Sequence, residues 1–249
     1  MKMYAFGDSF VVGDQDDFYN DPNTSKTNPP THGMLYNERL EYLKYNVSFV
    51  SIIAKHLNLE LVNFAVRGTG NYPQLDRLIM NLLSGNIKSG DLVLFGITTL
   101  IRDRIQLIDF NKSSSPGYGP CLIDRELLTE YNMDKICKID LLCILSILER
   151  LSKTYNIKII TFNLFTNILT GMPEEDKKPY KIENNVDITN EGNTLIDILH
   201  DTWGQVTDHP YHDRLEIIPG YEHFYTNKKH PSIDGHKKIA TWWLDNVKF

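Results

Sequence analysis

The chain has 249 residues, 41% of them apolar and 23% charged, which suffices for one large domain with its own core and demands no second. Its net charge of -6 at neutral pH gives no electrostatic footprint for nucleic acid, and no apolar run approaches the roughly 18 residues of a membrane span. The expectation is a single domain over 1–249 with neither nucleic acid nor membrane as partner; the oligomeric state stays open.

Residues 2–6 form a short apolar run that stops at Gly7, the pattern of a buried strand closed by a tight turn. From 13 to 45 the sequence is rich in Asp, Asn, Pro and Tyr with little periodicity, so a long surface excursion bordering the site is expected there. Val50, Ile53, Ala54 and Leu57 recur at helical spacing, a strand follows at 60–65, and Leu75, Leu78, Ile79, Leu82 and Leu83 mark a second amphipathic helix. Asp91-Leu92-Val93-Leu94-Phe95-Gly96 reads as a buried strand, 133–154 as a long helix and 157–162 as the next strand. After a polar stretch at 166–190, a short helix over 191–201, an edge strand over 214–218 and a final helix over 233–247 complete the chain. Strands alternating with helices predict an α/β protein, a three-layer α/β/α sandwich with a mostly parallel sheet, whose ligands gather at the carboxyl ends of the strands.

A serine hydroxyl attacks a carbonyl only when a base takes its proton and N–H donors meet the oxyanion that forms. Gly7-Asp8-Ser9-Phe10 puts a serine just past a buried strand, where it can face solvent; the plainer reading is that Asp8 and Ser9 cap the following segment. The stretch from Val62 through Gly68-Thr69-Gly70-Asn71 ends a strand and opens a helix, so its N–H groups suit an anion; an ordinary glycine turn with Asn71 as cap is the alternative. Among eight histidines, His230 in Lys229-His230-Pro231-Ser232-Ile233-Asp234-Gly235-His236 is held by proline on a loop before a helix that Ser232 or Asp234 can cap. His236, one turn further, packs or caps.

The blocks at 5–10, 62–71, 94–98 and 229–240 resemble, in order, the signature blocks of the SGNH (GDSL-like) serine hydrolases. That resemblance implies a flavodoxin-like fold, Ser9 as nucleophile, His230 as base, Gly68 as a backbone oxyanion donor and a structural role for Asp8 in the turn. Phe10 stands where a leucine is common. Two further positions depart from the family. Its third block carries an asparagine that donates to the oxyanion, where this chain has Thr98; the side-chain donor is then Thr98 or Asn71. Its last block carries an aspartate three residues before the histidine, where this chain has Asn227. An amide orients an imidazole without stabilising its charge, so the triad is reduced to a dyad, or Glu222, Asp208 or Asp213 supplies the acid. The implied activity is ester hydrolysis without a cofactor, on a small acyl ester or an acylated glycan such as an O-acetylated carbohydrate. The Gly68-Thr69-Gly70-Asn71 turn and Thr98 also resemble SGNH-like proteins of tailed bacteriophages.

Two other readings compete. His209, His212, His223 and His230 with Asp208 and Asp213 suggest zinc, but His209 and His212 straddle a proline and lack the usual i, i+4 pairing. Asp14, Asp16 and Asp17 lack the glycine and closing glutamate of a calcium loop, so no metal is expected. A catalytically silent module that keeps the fold and binds carbohydrate or protein is the other, with Phe18, Tyr19, Tyr36, Tyr42, Tyr45 and Tyr118 as stacking aromatics. Arg102 is a surface ion-pair former or an anchor for an anionic substrate group. The start Met1-Lys2-Met3 leaves no room for a secretory signal before Gly7, and Cys121, Cys137 and Cys143 lack disulfide or metal spacing, which together suggest the cytoplasm.

Overall fold

A computed structural model of the chain describes residues 1–13, 36–98, 130–164, 194–201, 217–226 and 229–249, with 173, 175 and 178. Four strands, β1 (Lys2–Phe6), β2 (Glu60–Asn63), β3 (Leu92–Ile97) and β4 (Lys158–Asn163), form a parallel sheet in the order β2-β1-β3-β4. Phe6 lies opposite Phe95, and Phe95 opposite Thr161. Since the chain moves from β1 to one side and then returns to build the other, β1 sits at the point where the winding reverses, the place where such sheets open a crevice.

The helices are α1 (Ser9–Val12), α2 (Tyr36–Asn46), α3 (Phe49–His56), α4 (Asn71–Leu83), α5 (Glu130–Tyr155), α6 (Leu195–His200) and α7 (Ile233–Asn246). Strand side chains alternate between two faces, and each face has its own apolar cluster. Met3, Ala5, Leu92, Leu94, Ile160 and Phe162 pack with residues of α1, α3, α6 and α7. Tyr4, Phe6, Val93, Phe95, Ile97 and Ile159 pack with residues of α4 and α5. The result is helix, sheet, helix, as the alternating pattern predicts. On the first face Trp243 of α7 meets Phe162 edge-on with ring centroids 4.8 Å apart, a contact worth about 1 kcal/mol beyond its buried area. That anchorage fixes the helix behind His230.

Helix starts follow from capping chemistry. Ser48 accepts the Ser51 N–H at 3.2 Å ahead of α3, Ser232 accepts the Gly235 N–H at 3.1 Å ahead of α7, and Thr194 with Asp197 forms a reciprocal capping box at α6.

Two expectations are corrected. The 13–45 stretch is not irregular throughout, because α2 occupies its end: Leu40, Leu43 and Val47 recur at i, i+3 and i+7, with Leu43 buried and Leu40 packed on the first cluster. The edge strand over 214–218 is not present at Ile217 and Ile218; residues 214–216 lie outside the described residues. Pro219 and Gly220, the latter at φ 96, turn the chain there, and Tyr221 N–H donates to the Ile218 carbonyl at 3.1 Å. No described helix is long and apolar enough to cross a membrane.

Candidate active site

The turn after β1 is built by close approach and by a cap. A Cβ on Gly7 would come within 2.2 Å of Val11 Cγ2, so only glycine lets α1 fold back directly over the strand end. Asp8 then takes the N-cap position, its Oδ1 accepting the Phe10 N–H at 3.0 Å, and Ser9 becomes the first residue of α1. The Ser9 hydroxyl lies 2.9 Å from His230 Nε2. Both side chains are buried, at 8% and 4% exposure, within a site whose low dielectric strengthens that contact. The Phe10 ring leans on the imidazole with centroids 5.4 Å apart.

His230 sits in a short hairpin. Its N–H donates to Thr226 Oγ1 at 3.1 Å, its carbonyl accepts the Thr226 N–H at 2.8 Å, and Tyr225 pairs with Pro231 in an antiparallel bridge. Lys229 adopts φ 62, the left-handed conformation that lets the chain reverse just before the histidine. His236, further along, is fully buried; its Nδ1 accepts the Phe49 N–H at 3.3 Å, and burial with His230 nearby pushes its imidazole down to about 3. It packs, and it stays neutral.

Beyond β2 the pairing with β1 continues, Phe64 N–H donating to the Ala5 carbonyl at 2.8 Å and Val66 N–H to the Gly7 carbonyl at 3.0 Å. This extension runs beside the Asp8-Ser9 turn and leads into Gly68, at φ 65. Asn63, which the sequence reading passed over, fastens the two turns together. Its amide donates to the Val11 carbonyl at 3.1 Å and its Oδ1 accepts the Ala65 N–H at 3.0 Å. A lone asparagine closing an apolar strand was the available signal.

The end of β3 completes a network of buried groups. Thr98 Oγ1 donates to Asp8 Oδ2 at 2.9 Å, Thr98 N–H donates to Asn71 Oδ1 at 2.9 Å, and Asn71 Nδ2 returns a bond to the Thr98 carbonyl at 3.2 Å. Asn71 thereby mimics a strand neighbour for Thr98 and locks the first turn of α4 to the sheet. It is the first residue of α4, with Gly70 at the cap position. A threonine hydroxyl has one proton, and here Asp8 receives it.

Asn227 lies outside the described residues, as do Asp208, Asp213, His209, His212, Arg102, Cys121 and the acidic run at Asp14, Asp16 and Asp17. Glu222 is exposed and accepts the N–H of Gly220, in its own turn, at 2.8 Å. Of the residues proposed from sequence, Ser9 and His230 meet directly, Thr98 and Asn71 meet each other, and Gly68 follows the strand extension beside the Ser9 turn.

The fold so described is a flavodoxin-like α/β/α sandwich with a serine and a histidine in contact at its central strand end. No family model matches the sequence. No curated protein matches it either. Among solved structures the chain is similar to a variant of an acetyl xylan esterase from Geobacillus stearothermophilus, at 14% identity over 100% of this chain and 94% of that one, with a TM-score of 0.50. It is also similar to a member of the lipolytic protein G-D-S-L family from Veillonella parvula, at 11% identity over 99% and 98% of the two chains, with a TM-score of 0.48. At these identities the likeness is one of fold.

Proposed function

We propose that the chain is a single-domain serine esterase of the SGNH type acting on a small acyl ester, with O-acetyl groups on a carbohydrate as the favoured class. The observation that carries this reading is the 2.9 Å contact between Ser9 Oγ and His230 Nε2, because it joins a nucleophile at a strand-to-helix turn to a base within proton-transfer reach. The fold likeness to an acetyl xylan esterase supports the fold half of the proposal and not the substrate.

In this mechanism Ser9 Oγ attacks the ester carbonyl while His230 Nε2 takes its proton. The oxyanion is held by the N–H groups of Ser9 and Gly68, the Thr98 hydroxyl being engaged with Asp8 and the Asn71 amide with the Thr98 carbonyl. Collapse breaks the C–O bond to the alcohol, which leaves with the proton from His230. Water then attacks the acyl-serine, gives its proton to His230, and the carboxylic acid departs as the proton returns to Ser9. Asn227 would orient the imidazole through its amide, giving a dyad with a neutral third member.

Labelling with a fluorophosphonate, paired with turnover of a small activated acetyl ester, tests the reading. The expected result is an adduct on Ser9 and turnover that Ser9→Ala and His230→Ala each remove. A folded wild-type protein with neither adduct nor turnover would overturn it in favour of the silent binding module.

A further inference from the structure

The bond between Ser9 and His230 depends on how the His230 hairpin is held, and the hairpin's one described side-chain tie to α6 is buried. Tyr225, whose backbone pairs with Pro231, places its phenol 3.0 Å from Nε2 of His200, the last residue of α6. Both side chains are almost wholly inside the protein, at 7% and 3% exposure. Their environment sets the roles. Burial, with Asp197 adding to it, keeps the phenol protonated, while burial and then Lys238 push the His200 imidazole down, so a neutral O–H meets a neutral ring nitrogen. The same neighbourhood is braced from α7, where Lys238 Nζ stands 4.5 Å from the Phe224 ring centroid and 5.1 Å from that of Tyr221 and bonds the Leu199 carbonyl at 3.0 Å.

The support continues into the sheet. α6 is capped by Thr194, which pairs with Asn163 at the end of β4, so a line of bonded groups runs from β4 through α6 and His200 to Tyr225, and from there around the hairpin to His230. Among the described residues, neither Tyr225 nor His200 is bonded to Ser9 or to the His230 ring. Their effect is on where the imidazole points.

We propose that Tyr225 and His200 are positioning residues that act as a pair, holding the His230 hairpin so that Nε2 faces Ser9. The inference rests on the esterase reading above. Misplacing a catalytic group by a fraction of an ångström lowers the chemical step while leaving ground-state binding nearly intact. Tyr225→Phe, which keeps the ring and removes only the hydroxyl, should therefore lower kcat about tenfold with KM within about twofold of wild type. His200→Leu should do the same, the double variant should be no slower than either single one, and His200→Gln, which can still bond the phenol, should recover most of the rate. Circular dichroism and thermal melting establish that each variant is folded, and the His200 series decides the question if Tyr225→Phe is not. An active wild type with Tyr225→Phe at full kcat, or with losses that add in the double variant, overturns the positioning pair alone. A wild type with no turnover and no adduct on Ser9 overturns the esterase reading instead.

Discussion

The hydroxyl of Thr98 donates to the Asp8 carboxylate across 2.9 Å, joining the end of β3 to the residue before Ser9. The bond braces the carboxylate that caps the first turn of α1, where Ser9 sits. Thr98→Val keeps the shape and removes the donor to a buried charged group, so unfolding free energy should fall by about 1.5–3 kcal/mol. Thr98→Ser should lose well under half as much. Urea denaturation of both variants checks this; equal losses would mean that the methyl group, not the hydroxyl, matters.

Much of this arrangement was readable beforehand because periodicity and turn chemistry agree locally. The strand at 2–6, the helix through Leu75 and Leu82 and the helix after Ser232 each carry an apolar stripe bounded by a glycine or a cap. α2 was missed because Glu38, Glu41 and Lys44 dominate its composition while its inner stripe is thin. The Asp8–Thr98–Asn71 network was illegible for another reason. Its members stand 27 to 90 residues apart, and only the parallel pairing of β1 with β3 brings them together. Thr98 and Asn71, two candidate oxyanion donors by sequence, bond each other in the fold, a relationship that no local pattern encodes.

Position 227 offers a test of the base. If Asn227 orients the imidazole of His230, aspartate there adds the charge that stabilises imidazolium, and Asn227→Asp should preserve or raise kcat on a small acetyl ester. Steady-state kinetics of the folded variant measure this. A clear fall in kcat would separate Asn227 from His230 and return attention to the other acids of the preceding loops.

Stability against pH should show two opposed contributions. His236 is pushed down to about 3 from 6.5, so between those values the unfolded chain binds a proton that the folded chain refuses; its contribution is complete above pH 6.5 and is lost as the pH falls towards 3. Asp197 is raised to about 6 from 3.8 by burial, against the bonds from Thr194, so its contribution has the reverse sign, present below pH 3.8 and lost as the pH rises through 6. Across their common window each changes stability on the order of 1 kcal/mol per pH unit, and they nearly cancel. Asp197→Asn retains an acceptor for the Thr194 cap while removing the titration. The variant's unfolding free energy should then fall relative to wild type as the pH falls from above 6 to 4, which is to say that acid hurts the variant more. Chemical denaturation at pH 4, 5, 6 and 7 gives the difference curve, and parallel profiles for the two proteins would contradict the assignment of Asp197.

Gln74 is the least explained group in the core. It is fully buried on α4 beside Leu75 and Leu78, and neither atom of its amide has a hydrogen-bond partner among the described residues. Removing an amide from water without replacing its bonds costs about 1–3 kcal/mol. Methionine has similar length, similar helix propensity and no such requirement, so Gln74→Met should raise unfolding free energy by about 1 kcal/mol rather than lower it. The sign is what matters, since most core substitutions destabilise. A rise in the denaturation midpoint at constant slope identifies the amide as an uncompensated burial, whereas a fall of similar size would show that the folded protein in solution satisfies both of its atoms.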